Sequence, residues 1–208
     1  MNYIYLHGFA SRPASRKATY FQHRFAAAGH QLQIPALDGG DFQNLTVSGQ
    51  LAIVDACVAG QPSVLLGSSL GGYLAALYAA RHPEVQRAVL LAPAFCFPRR
   101  WQDDLGAEAF EAWRREGSRE VFHYGEGRTL RIGFGLIDDA QQYEDYPVVS
   151  QPVLLLHGIQ DAVVPVHYAR EFARRHPDSA QLLELDTDHE MGDVLDALWT
   201  AASKFLFP

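Results

Sequence analysis

The chain has 208 residues, 48% hydrophobic and 20% charged, with a formal charge of −7. That length suits one domain with a full core, and no apolar run approaches the ~20 residues needed to span a bilayer. The acidic balance argues against nucleic acid or an anionic membrane as partner, because both reward clustered lysine and arginine.

Residues 3–7 are a short apolar run without a basic region before it, so the start of the chain reads as a strand and not as a signal peptide. With two cysteines, Cys57 and Cys96, there is no disulfide framework, and the expectation is a cytoplasmic protein with free thiols. Further strand candidates follow at 31–35, 63–67, 87–92, 152–157 and 181–186, several of them continuous Val/Leu/Ile runs suited to burial on both faces. Helical patterns lie between and after them at 16–28, 47–59, 70–81, 167–175 and 192–205. Strands alternating with helices imply βαβ crossovers and a parallel sheet covered on both faces.

Residues 93–147 break the alternation and are richer in charge and aromatics. A helix is predicted over 103–115, and 120–124 with 128–133 are predicted to pair as a hairpin through Gly125-Glu126-Gly127. The stretch is too long for a plain connection. We expect one domain, 1–208, with an inserted cap at about 96–147.

The segment Gly67-Ser68-Ser69-Leu70-Gly71 joins an apolar run to a helix-forming one. This is the pattern of a nucleophile elbow, a serine held on a tight strand-to-helix turn with its hydroxyl exposed. Ser69 is the candidate nucleophile, and a serine needs a base oriented by an acid. Asp161 stands in the loop after one buried strand and His189 in the loop after the last. Loops at strand carboxyl ends meet on one rim of a parallel sheet, so the three residues can converge. Asp186 and Asp188 compete for the acid role by their nearness in sequence, but the acid must face the ring from the side opposite the serine.

A tetrahedral intermediate needs N–H donors for its negative oxygen. Leu70 supplies one, and Phe9, presented by Gly8 in the loop after the first strand, is the expected second. His7 is expected to bond backbone in that loop. Phe95, Phe97 and Trp101 are the candidate acyl-pocket residues, with Phe9, Phe110, Trp113, Tyr124 and Phe134 as further aromatics in reach. Arg99 and Arg100 are candidates to steer an anionic leaving group, with an ordinary solvated surface as the alternative. Cys96 is expected to be buried and inert.

The opening Tyr-Leu-His-Gly-Phe-Ala-Ser, the Gly-Ser-Ser-Leu-Gly-Gly-Tyr elbow and the Ser, Asp, His order resemble the α/β-hydrolase superfamily, and most of all the small YqiA-like bacterial esterases. The resemblance covers about residues 1–95 and 148–205. It implies a three-layer α/β-hydrolase fold with a reduced, mostly parallel sheet of about six strands in the order 2-1-3-4-5-6. It also implies Ser69, Asp161 and His189 as nucleophile, acid and base, with no cofactor and no metal. The expected function is hydrolysis of small to medium carboxylic esters or thioesters through an acyl-enzyme, with a small-molecule substrate as the partner. An acyltransferase or carbon–carbon hydrolase with the same triad is the alternative within enzymes, and a non-catalytic binding protein the alternative outside them.

Overall fold

The computed structural model describes residues 1–207. The chain runs β1 (Asn2–Leu6), α1 (Arg16–Ala27), β2 (Leu32–Gln33), α2 (Val47–Val58), β3 (Ser63–Ser68), α3 (Leu70–Ala79) and β4 (Val85–Leu91). An excursion follows: α4 (Phe97–Leu105), α5 (Ala107–Glu116), β5 (Ser118–His123), β6 (Arg128–Gly133) and α6 (Gly135–Ala140). The chain then completes β7 (Val153–Gly158), α7 (His167–Arg175), β8 (Ala180–Leu185) and α8 (Leu195–Leu206).

Six strands form one sheet in the order β2-β1-β3-β4-β7-β8, and every pair in it is parallel. This is the predicted order. Alternate residues of each strand feed opposite faces. Ile4, Leu65, Ala88, Leu90 and Leu155 pack with α2, α3 and α7, while Tyr5, Leu66, Val89, Leu91 and Leu156 pack with α1 and α8. The result is three layers, the α/β-hydrolase architecture. Phe110, Trp113, Ile132, Phe134 and Ile137 of the excursion join the first of these cores. No helix among the described residues is long and apolar enough to cross a membrane.

Local chemistry explains where boundaries differ from expectation. The 31–35 strand shrinks to two residues at the sheet edge, where Pro35 has no N–H to continue a ladder. The helix expected over 103–115 is two helices that begin earlier, at Phe97, and break at Gly106, whose φ of 74° ends one and starts the next. The hairpin forms as β5 and β6, paired antiparallel. The short helix α6 and a 3-10 turn over Phe42–Asn44 carry too few residues to show a period in the sequence. The last helix starts at Leu195, because Thr187 bonds Asp193 and holds the preceding residues in the loop.

The sheet and α3 approach each other closely at two glycines. A Cβ on Gly67 would stand 2.2 Å from the Gly71 carbonyl oxygen, and one on Gly71 would stand 2.1 Å from that of Leu6. Both contacts are with backbone, so neither can be relieved by a rotamer change. Gly71→Ala is therefore expected to destabilise the fold by about 3 kcal/mol or more. A urea midpoint within error of the unsubstituted protein would contradict this packing.

Candidate active site

Ser69 sits between β3 and α3 with φ 54° and ψ −120°, a conformation that L-residues avoid. Hydrogen bonds hold it there. The Ser69 N–H donates to the Leu91 carbonyl at 2.8 Å, and the Ser69 carbonyl accepts from Gly72, Tyr73 and Ala94. The strain turns the hydroxyl out of the sheet toward a cavity of about 800 Å³ that Ser69, Leu70, Phe9 and His189 all line. The site lies outside the carboxyl ends of β1 and β3, where the strand order reverses and open sheets bind ligands.

The loop after β1 lies directly over the serine, and a Cβ on Gly8 would be 3.3 Å from the Ser69 Cβ. His7 shapes that loop. Its Nε2 accepts from the Leu37 N–H at 3.3 Å, and its Nδ1 bonds the Gly8 carbonyl at 3.0 Å. Those partners require Nδ1 to carry the proton, and burial lowers the ring's pKa, so His7 is a neutral structural group. Neither the Phe9 nor the Leu70 N–H has a hydrogen-bond partner among the described residues, which leaves both free to donate into the cavity.

Asp161 and His189 are brought together by the close approach of the loops after β7 and β8. A Cβ on Gly158 would stand 2.3 Å from the Thr187 carbonyl, and the Gln160 N–H donates to that same carbonyl. His189 Nδ1 lies 2.7 Å from Asp161 Oδ2. The other oxygen, Oδ1, accepts the N–H groups of Val163 at 2.9 Å and Val164 at 2.7 Å. The buried His157 adds its Nε2 at 3.2 Å from Oδ2, sharing that proton with the Val164 carbonyl. Burial opposes ionisation of Asp161, but the donors of His157, His189 and Val164 prevail and hold the carboxyl well below the usual carboxylate range. The competing carboxylates are occupied elsewhere: Asp186 accepts from Gln160, and Asp188 caps its own loop through Glu190 and Met191. No hydrogen bond among the described residues joins Ser69 to His189, although the two face one cavity.

The aromatic assignments divide. Phe97 and Trp101 line the cavity with Phe9 and Tyr124, and the Phe9 and Trp101 rings meet edge-on at 5.0 Å. Phe95 does not line it. It is fully buried and stacks on Phe172 at 4.5 Å, so it belongs to the core beneath α7. Phe110, Trp113 and Phe134 form the excursion's own core. Arg99 turns away to pair with Asp145 at 2.7 Å, and Arg100 is buried against the Val163 carbonyl and over the Tyr168 ring, tying α4 to the Asp161 loop. Cys96 is buried off the cavity, and burial pushes its thiol pKa up. The cations that sequence reasoning missed are Arg12, Arg16 and Lys17, which line the cavity from the β1–α1 connection and the first turn of α1. No group of three or more His, Cys, Asp or Glu among the described residues is arranged to hold a metal ion.

Residues 2–206 match an uncharacterised protein family, UPF0227. A mitochondrial palmitoyl-protein thioesterase, ABHD10, of Bos taurus is 28% identical over 93% of this chain and 68% of its own length. Against the Rattus norvegicus form the identity is 30%, and the chain spans 51% of that relative. A pimeloyl-[acyl-carrier protein] methyl ester esterase of Aromatoleum aromaticum is 28% identical over 88% of both chains. In three dimensions the chain resembles alpha/beta hydrolase domain-containing protein 10 from mouse, with a TM-score of 0.84 over 99% of this chain and 89% of that one. At 22% identity that likeness speaks for the fold.

The depressed Asp161 carboxyl links stability to pH. An unfolded aspartate titrates near pH ~3.9. The ionised form is favoured in the native state, so its contribution is complete above that pH and fades as pH falls through the lower native value. Between about pH 5 and about pH 3.5 the stability advantage of the unsubstituted protein over Asp161→Asn is expected to shrink. An advantage that grows on acidification, read from urea unfolding at each pH, would contradict this.

Proposed function

The chain belongs to the UPF0227 family and to the α/β-hydrolase superfamily, and from that premise we propose that it is a serine hydrolase of carboxylic esters or thioesters. The observation that carries the reading is the 2.7 Å bond from His189 to a buried Asp161, beside a cavity into which a strained Ser69 projects. Relatives named for thioester and methyl-ester cleavage fall in the same reaction class.

Substrate binding brings Ser69 Oγ within hydrogen-bond reach of His189 Nε2, a contact that often tightens only in the substrate complex. As Oγ attacks the carbonyl carbon, Nε2 takes its proton. Asp161 stays ionised, holds the Nδ1–H and stabilises the imidazolium. The carbonyl electrons move onto oxygen, which the Phe9 and Leu70 N–H groups receive at the positive end of α3. Collapse re-forms the carbonyl and breaks the C–O or C–S bond, and Nε2 gives its proton to the departing oxygen or sulfur. Water then attacks the acyl-enzyme by the same route, releasing the carboxylic acid and restoring Ser69.

The excursion between β4 and β7 acts as the cap. Its Phe97 and Trp101, with Phe9 opposite, form an apolar wall suited to a small or medium acyl chain. His157 keeps Asp161 oriented: its shared Nε2 proton leaves Oδ2 a single direction in which to accept from His189.

Ser69→Ala is expected to lower kcat on a chromogenic ester by about 10⁴-fold or more while leaving the urea midpoint near that of the unsubstituted protein. Turnover at the original rate, or failure of a fluorophosphonate probe to label Ser69, would sink the assignment. Trp101→Ala is expected to shift the optimum of a graded acyl-length panel toward longer chains, and an unmoved optimum would remove Trp101 from the acyl wall.

A further inference from the structure

Two sides of the cavity differ in chemistry. The aromatic wall stands on the cap side. Around His189 the lining includes Lys17, which reaches its carbonyl, Arg16 against Gly192, and Glu190, with Ser15 next to Arg16 and Tyr5 also in the wall. The histidine must return its proton to the departing atom, so the leaving group lies on this second side.

The two cations on this side form no salt bridge among the described residues. Lys17 Nζ reaches the His189 carbonyl at 3.2 Å and pairs with no carboxylate within 4.0 Å among the described residues. The Arg16 guanidinium lies against Gly192, where a Cβ would stand 2.9 Å from its Nη1, and it too has no ionic partner there. Helix α1 begins at these residues, its Ser15 side chain makes no cap bond and its first turn carries no acid. The first N–H groups of a 12-residue helix therefore face the cavity beside two cations.

A buried group supplies the independent observation. Tyr5 is fully buried and lines the cavity, and its hydroxyl makes no hydrogen bond of normal geometry, the Ser68 side chain being the polar group beside it. An unpaired buried hydroxyl is costly and rare, and one in a cavity wall is placed to donate to a ligand. Burial raises the Tyr5 phenol above its ordinary value, so the group is a donor at physiological pH. Glu190 is the one carboxylate in the lining among the described residues; like Arg16 it is exposed, and it forms no salt bridge with these cations, although its charge and those of Asp161 and Asp188 favour the charged form of Lys17 against the cost of burial.

Building on the hydrolase reading above, we propose that Tyr5, Arg16, Lys17 and the open N-terminus of α1 form a subsite for a small oxyanion. It takes a carboxylate or phosphate joined to the leaving oxygen or sulfur through a few bonds. The Lys17 bond to the His189 backbone sets that short distance, because the ammonium lies within one residue of the base.

Three butanoyl esters test this: those of glycolate, of hydroxyethyl phosphate and of glycolamide. The first two carry the carboxylate and the phosphate, and the third is the neutral counterpart of the first. Binding to the Ser69→Ala protein, read by the fluorescence of the cavity Trp101, is expected to favour an anionic ester over glycolamide by about tenfold or more, as for a charge-assisted hydrogen bond. Which anionic ester binds tighter names the anion. Lys17→Met and Tyr5→Phe, each combined with Ser69→Ala, are expected to reduce that preference, and Tyr5→Phe removes one oxygen only should the lysine variant fail to fold. Equal binding of all three esters overturns the subsite. So does an unchanged anion preference in the Lys17→Met, Ser69→Ala protein together with a kcat lowered equally on every ester by Lys17→Met alone, which would make the lysine a support for the His189 loop alone. A preserved anion preference with no ester hydrolysed by the unsubstituted protein would leave the subsite standing and bring down the hydrolase reading.

Discussion

Asp161 is a buried anion that forms no salt bridge with a lysine or arginine among the described residues, and much of the site follows from how its charge is satisfied. An isolated carboxylate taken out of water is expensive, and donors on every lone pair are the usual remedy. Here Val163, Val164, His157 and His189 supply them. Two of these come from the aspartate's own loop, one from the end of β7 and one from the loop after β8. The carboxylate thus fixes three backbone segments relative to each other. Arg100 extends the arrangement, since it grips the carbonyl of Val163, whose N–H serves Asp161, and so couples the cap helix α4 to the acid loop.

The second constraint is distance between backbones. Ser69 stays at a positive φ because β3, α3 and the loop after β4 leave it no alternative, and they can close around it only where glycines remove the Cβ. Gly67 and Gly71 allow the strand and helix to touch, Gly8 lets the β1 loop lie on the serine, and Gly158 lets the two loops carrying Asp161 and His189 meet. Strain at one residue is offset by packing distributed over the sheet, which is why Ser69 can be held in a sparsely populated conformation within a stable fold.

These constraints divide what the sequence discloses from what it hides. The strands were legible because Val, Leu and Ile runs buried on both faces leave few alternatives, their order came from the resemblance to the α/β-hydrolases, and Ser69, Asp161 and His189 stand at strand ends that a parallel sheet gathers on one rim. The split of α4 from α5 was hidden because Gly106 lies within an otherwise helical composition, and propensity alone bridges one glycine. Phe95 and Phe97 are two positions apart, yet one stacks under α7 and the other lines the cavity. Composition gives both the same weight, and only the αL turn at the intervening Cys96 decides which way each faces. His157 was hidden for a related reason: as the fifth residue of a buried strand it reads as core, and its contact with Asp161 arises four residues later when the chain folds back.

Arg12, Arg16 and Lys17 illustrate a limit of arguments from net charge. The total of −7 describes the molecule beyond a Debye length, roughly 8–10 Å in physiological salt. Within a cleft the sum does not apply, because field is set by the nearest unpaired groups in a low-dielectric wall. Arg81, Arg99, Arg170, Arg174 and Arg175 sit on carboxylates at 2.6–2.8 Å, whereas Arg16 and Lys17 at the cavity form no salt bridge among the described residues. An acidic chain can in this way keep cations free of salt bridges beside the cavity that Ser69 lines.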